Sequence, residues 1–181
     1  MNCVEPIRSE EDIENLKKVL INQSYRDYFF FLLGINTGLK LTDLLNLKFK
    51  DFKEQEGVMY LIINNIKYPV ANIVKDSFYT YKKIRKENIE DCYVFASRKG
   101  NEPIDRSHAY RILNDAAQKI GLSSKVGTHT LRKTFGYHFY KKYGDLKHLQ
   151  KLFNHSTSKQ TLNYIGISEE NTPKKVIELN L

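Results

Sequence analysis

The chain of 181 residues holds only two cysteines, Cys3 and Cys92, and neither sits in a CxxC pair. That excludes a disulfide framework and a four-cysteine zinc site, so both read as ordinary free thiols. No apolar run approaches the ~20 residues that a membrane-spanning helix needs. The N-terminal MNCVEPIRSEED turns acidic and polar where a secretory signal would turn apolar, and the expected compartment is the cytoplasm, with no membrane partner. Internal repeats and low-complexity tracts are absent as well, which leaves the expectation of one domain over residues 1–181.

What is present supports a packed, basic domain. Hydrophobic residues make up 41% of the chain and aromatics 12%, enough for a sizeable core. Lysine and arginine number 29 against 21 acidic residues, a formal charge of +8 that favours a polyanionic partner such as nucleic acid or an anionic surface.

Helix signals dominate. Ser9 with Asp12 reads as an N-terminal cap ahead of Ile13, Leu16, Val19 and Leu20 at helical spacing. Ser24 with Asp27 repeats that signal before YFFFLLGINTG, apolar enough for a buried helix that Gly38 closes. Thr42 is then expected to cap DLLNLK, so that Lys40 lies in a tight corner between two helices. VMYLII and IKYPV read as two strands joined at Asn64–Asn65, residues that accept the positive φ of a short turn. Residues 72–86 return to helical periodicity, CYVFAS is extended, and RKGNEPID is a loop. RSHAYRILNDAAQKI ends at Gly121 and THTLRKTFGYHFYKKY at Gly144. DLKHLQKLF and TSKQTLNYIG follow as shorter helices, and the tail SEENTPKKVIELNL is weakly amphipathic. The expected fold class is mainly α with a small antiparallel β-sheet.

His129 and Arg132 stand three apart near a helix N-terminus, where an imidazole, a guanidinium and backbone N–H groups suit a phosphate. An HxxR pair is common by chance. FNHSTSKQTLNYIG then adds His155 and, after eight intervening residues, Tyr164. A phenol with an ordinary pKa of about 10 needs nearby cations or a base to become a nucleophile, and the histidines and arginine supply both.

Read in order, H-x2-R, His155 and Tyr164 resemble the catalytic half of the tyrosine recombinases, the lambda-integrase-like enzymes of DNA strand exchange. NTGLKLTDLLNLKFKDF is similar to that family's first box, a TGLR followed by an acidic residue and a leucine-rich turn, and KYPV to the end of its β-hairpin. The resemblance spans about residues 7–167. It implies the family's catalytic-domain fold and a reaction needing no metal or small-molecule cofactor. Tyr164 would attack a phosphodiester of double-stranded DNA, form a 3′-phosphotyrosyl link and release a 5′-hydroxyl. Arg132 would clamp the nonbridging oxygens, His155 would hydrogen-bond the phosphate, and His129 would assist proton movement or orient the scissile group. Lys40 falls where the family has its first catalytic arginine, and Asp43 matches the acidic position.

Two departures stand out. Lysine is a flexible point charge where arginine offers a planar fork. The hairpin tip lacks the lysine that relatives use to protonate the leaving oxygen, and Lys67 matches a basic position on the second strand instead. Arg106, His108 and Arg111, at helical spacing, are the expected DNA contacts together with Lys67, although each reads equally well as part of a solvated basic face. The resemblance also implies self-association on DNA, and the chain offers no room for the family's N-terminal helical domain. The resulting expectation is a site-specific recombinase or integrase; the alternative is a catalytically impaired DNA-binding relative with an accessory role.

Overall fold

The computed structural model describes residues 4–85, 89–97, 100, 102–123, 126–127 and 129–168. The tail expected to be amphipathic, beyond Ser168, lies outside them. Among the described residues, helices α1 (Glu10–Gln23), α2 (Tyr25–Thr37) and α3 (Leu41–Leu45) are followed by strands β1 (Phe52–Gln55), β2 (Val58–Ile63) and β3 (Ile66–Pro69). Helices α4 (Asn72–Arg85), α5 (Arg106–Lys119), α6 (Thr130–Tyr143), α7 (Leu146–Phe153) and α8 (Ser158–Tyr164) complete the fold. The class is the expected one, mostly helical with one antiparallel sheet of order β1-β2-β3.

Local chemistry explains most boundaries. The Ser9 hydroxyl accepts from the Asp12 N–H at 3.1 Å, and Ile13, Leu16 and Leu20 bury the face that this start sets up. Phe29, Phe30, Phe31, Leu32 and Leu33 are fully buried, which makes α2 the centre of the domain. At roughly 1.5–3 kcal/mol per fully buried apolar side chain, this run is the largest local contribution to the core. Gly38 ends α2 in the left-handed region with φ 63, and a Cβ there would overlap the ring of Phe135.

Two expected caps are corrected. Ser24 is the N-cap of α2 but makes no side-chain cap bond, and Asp27 instead accepts from Arg26 Nε at 2.8 Å in a buried pair. Thr42 lies inside α3; the N-cap is Lys40, with φ −65 and ψ 147. Burial of Leu39, Leu44 and Leu45 sets that start, because burying leucines outweighs the ~1 kcal/mol of a hydroxyl cap.

The sheet has one strand more than the expected hairpin. Asn64 and Asn65 do form the short tip, with φ 49 and 63 and Ile63 paired to Ile66. Glu56 and Gly57 make a second positive-φ turn that brings β1 alongside β2. Phe52 is the only buried residue of β1, and its ring stacks on Phe78 at 4.2 Å. CYVFAS, expected to be extended, instead turns at Val94–Phe95 between single bridges from Tyr93 to Lys48 and from Ala96 to Pro103, because its backbone bonds go to Leu47 on one side and Ile104 on the other.

Among the described residues two apolar clusters result. The larger joins α1–α5 and the sheet to Leu131 at the start of α6. The smaller consists of Leu149, Phe153, Leu162 and Ile165, covered by Phe135, Phe139 and Tyr140 from the rest of α6. Gly136 makes this second docking close: a Cβ would stand 2.6 Å from Ile165 and 2.8 Å from the Phe153 ring. The segment before α1 crosses the same region. The Ile7 N–H donates to Thr134 Oγ1 at 2.9 Å, and the Arg8 guanidinium donates to the Gly166 carbonyl at 2.9 Å.

Candidate active site

Lys40, His129, Arg132, His155 and Tyr164 come together around one open recess of about 270 Å³, with Leu41, Thr42, Arg106 and Phe153 completing its wall. Four separate pieces of chain supply the five. Lys40 is exposed at the corner between α2 and α3, a position that Gly38 makes possible. His129 is the residue before α6, and Arg132 lies in the first turn of that helix. His155 follows Asn154, whose left-handed φ of 55 ends α7. Tyr164 is the last residue of α8.

Arg132 is the best-anchored cation. Its guanidinium donates to the Gly38 carbonyl and lies 4.2 Å from the Phe153 ring centroid, so α6 and α7 hold it against the corner that carries Lys40. Burial lowers its pKa, while the neighbouring Tyr164 and Asp43 act in the opposite direction. Asp43 thus sits close enough to be felt by the guanidinium.

Tyr164 stands among rings and charges. Phe153 meets it edge-on at 5.4 Å and His155 at 5.1 Å, and the Lys133 ammonium lies 5.3 Å from its ring centroid. Burial raises the phenol pKa above its usual value; the charge of Arg132 and a hydrogen bond from it lower it but do not prevail. The resting tyrosine is therefore protonated.

The two histidines are shifted toward their neutral forms. Desolvation pushes His129 down, and Arg106, Lys133 and Arg132 add to the effect. His155 is lowered by burial and then by Arg132. Its Nδ1 lies 3.1 Å from Thr161 Oγ1, whose own hydroxyl is placed to donate to the Thr157 carbonyl at 3.2 Å. With the Thr161 proton so used, Nδ1 is the donor of that pair and Nε2 is left for the recess. The loop is pinned from behind by Gln150, which donates to the carbonyls of His155 and Ser156, each at 3.2 Å.

The expected DNA contacts separate. Arg106 joins the recess. Arg111 lines a neighbouring hollow of about 590 Å³ with Arg106, Ser107 and Tyr110. His108 is on the other side of α5, half-buried, its Nε2 3.4 Å from Arg26, and desolvation and that arginine lower its pKa. Lys67 is exposed on β3, donates to Gln55 Oε1 at 2.9 Å and takes no part in the recess. Sequence reasoning missed Lys133, 6% exposed directly behind Tyr164, and Phe153, the ring under Arg132. The one sequence signal for the former is its place four residues after His129, one helical turn along α6. Among the described residues no group of three or more His, Cys, Asp or Glu is placed to hold a metal ion, and no helix is long and apolar enough to cross a membrane.

The chain is 43% identical over 175 residues to the probable integrase/recombinase YoeC of Bacillus subtilis (strain 168), covering 95% of this chain and 94% of YoeC. Its fold matches a crystal structure of XerA recombinase with a TM-score of 0.73 at 24% identity, over 92% of this chain and 60% of that one. The XerH site-specific recombinase bound to its difH substrate in a pre-cleavage complex gives a TM-score of 0.73 at 19% identity, over 94% of this chain and 53% of XerH. The chain thus spans most of YoeC but little more than half of the two recombinases of known structure. Residues 8–171 match the sequence pattern of the phage integrase family, and this chain belongs to that family of tyrosine recombinases.

Proposed function

We propose that this protein breaks and rejoins double-stranded DNA at specific sites through a 3′-phosphotyrosyl intermediate, with Tyr164 as nucleophile. The observation that carries the reading is the meeting of Tyr164 with Arg132, Lys40, His129 and His155 in one recess, drawn from four separate segments. A phosphodiester bound there places its nonbridging oxygens against Arg132 and Lys40. Tyr164 Oη attacks phosphorus and gives up its proton to neutral His129, and the 5′-oxygen departs with a proton from water. Attack by a 5′-hydroxyl on the phosphotyrosyl link reverses the step and reseals DNA. His155 is neutral in the free protein; the phosphate anion favours its protonated form, which donates from Nε2 to the phosphate and from Nδ1 to Thr161. Catalysis then rests on cations preorganised at the phosphate and on positioning. Strand exchange between two sites requires further copies of the protein on DNA.

A second reading, a DNA-binding relative with impaired chemistry, draws on two observations. Lys40 lacks the fork of an arginine, and the Asn64–Asn65 tip carries no lysine. Losing one well-aligned charged hydrogen bond costs about 2–4 kcal/mol in the transition state, or a few orders of magnitude in rate. Incubation with a library of nicked duplexes, which trap the covalent state, separates the two readings. We expect a protein–DNA adduct that disappears in Tyr164→Phe and accumulates faster in Lys40→Arg. DNA binding without any adduct in either background would sink the cleavage reading.

A further inference from the structure

One cation in the recess has no part in the chemistry above. Arg106 is the first residue of α5, held at that point by its N-cap Asp105, whose carboxylate accepts from the His108 N–H at 2.6 Å. The residue is exposed, and among the described residues no carboxylate lies within ion-pair distance of it. It lines the recess that also holds Lys40, Arg132 and Tyr164, and among the charged neighbours it is the foremost in lowering the pKa of His129. A guanidinium with no acidic partner facing a nucleophile is a poor arrangement for stability and a good one for an anion.

The neighbouring cations leave work for it. Arg132 has one terminal nitrogen committed to the Gly38 carbonyl, so only part of its fork is available to a ligand. Lys40 brings charge from an exposed, flexible stem and cannot form two parallel bonds to a phosphate. A phosphodiester seated against Tyr164 offers two nonbridging oxygens, each able to accept more than one hydrogen bond. We infer that Arg106 contacts the scissile phosphate itself and supplies the planar two-donor clamp that Lys40 does not. The inference deepens the cleavage reading and rests on it for its mechanistic meaning, but the contact can be tested without cleavage. Arg111 is the internal control: it lies on the same helix and borders only the adjoining hollow.

Inorganic phosphate is the first probe, titrated into the whole protein while the arginine Nε–H resonances are followed by NMR. The Arg106 and Arg132 resonances are expected to shift with one common affinity. Arg106→Ala should weaken that affinity at least fivefold, Arg106→Lys less, and Arg111→Ala less than twofold. An unshifted Arg106 resonance, or equal affinity in Arg106→Ala and wild type, overturns the inference. The second probe is single-turnover adduct formation at saturating nicked DNA on a sequence recovered from the library. Here Arg106→Ala should slow the reaction at least 30-fold with DNA affinity changed less than threefold, whereas the effect of Arg111→Ala should lie in DNA binding. A methylphosphonate at the scissile position, which removes one nonbridging charge, should shrink the gap between Arg106→Ala and wild type to less than threefold. A saturated rate unaffected by Arg106→Ala overturns the inference. Phosphate binding that depends on Arg106, with no adduct in wild type, would defeat the cleavage reading and leave the contact standing.

Discussion

The large core around α2 and the small cluster around Phe153 divide the candidate site between them. Lys40 and Arg106 sit on elements of the large core, and Arg132 and His129 on the end of α6 that is embedded in it through Leu131. His155 and Tyr164 belong to the α7–α8 unit, whose interior is four buried residues packed on the outer part of α6. Charge is thus fixed on the part that buries most apolar surface, while Tyr164 is carried by two short helices with far less. Opening free energies differ across a structure in the same way, being lowest where buried apolar contacts are few. Lys40 and Arg106 are therefore expected to keep their places when the α7–α8 unit loosens, while Arg132 loses its contact with Phe153.

The largest effect should come from the large core. Phe30 is fully buried and meets Phe95 edge-on at 5.3 Å; Phe30→Ala is expected to cost about 3–5 kcal/mol and to appear as a lower midpoint of a single denaturant transition. Loss of the α7–α8 cluster alone in Phe30→Ala would contradict the place of Phe30 at the centre of the domain. Gly136→Ala pushes a methyl against Ile165 and Phe153, at an expected cost of about 1–3 kcal/mol. Amide exchange should accelerate in α7 and α8 and stay unchanged in α2, and adduct formation should fall with it. Equal acceleration in α2 would erase the proposed difference between the two regions.

Acidification should act more weakly, and on both regions. His108, His129 and His155 all have folded pKa values below the ordinary 6.5. Between those depressed values and 6.5 the unfolded chain binds more protons, so stability is present above that window and is lost as pH falls through it. The melting temperature at pH 5.5 should lie below that at pH 7.5, and His155→Asn should reduce the part of the loss seen in α7–α8 exchange. A flat profile across this window would mean the histidines are not desolvated. The smallest effect belongs to the exposed pair Lys82–Glu90, 2.5 Å apart: Lys82→Ala should change stability by less than ~1 kcal/mol by denaturant melts.

Elements closed by their own residues were legible in the chain. Ser9, Gly38, Gly144 and Asp145 each bound a helix where expected, because caps and left-handed closures are made within a few residues. Strand β1 was not, since FKEQ offers one buried residue and its place comes from pairing with β2. The start of α3 moved from Thr42 to Lys40 for a similar reason: leucine burial beyond the helix outweighed a local hydroxyl. In the candidate site, the ordered spacing of His129, Arg132, His155 and Tyr164 singled out residues that line one recess, while the sides of α5 were unreadable. His108 turns toward Arg26, 82 residues away in the chain, and Arg106 turns toward Lys40.

By itself the sequence determined the helical character, the tight corner at Gly38 and the set of chemical groups, because each depends on residue type and short-range spacing. Only the tertiary structure decided that five of those groups share one recess with Arg106, that Arg132 is held by Gly38 and Phe153, and that the tyrosine rides on the smaller cluster. Those outcomes depend on which buried faces meet, and contacts between residues tens of positions apart are set by the packing of the whole core.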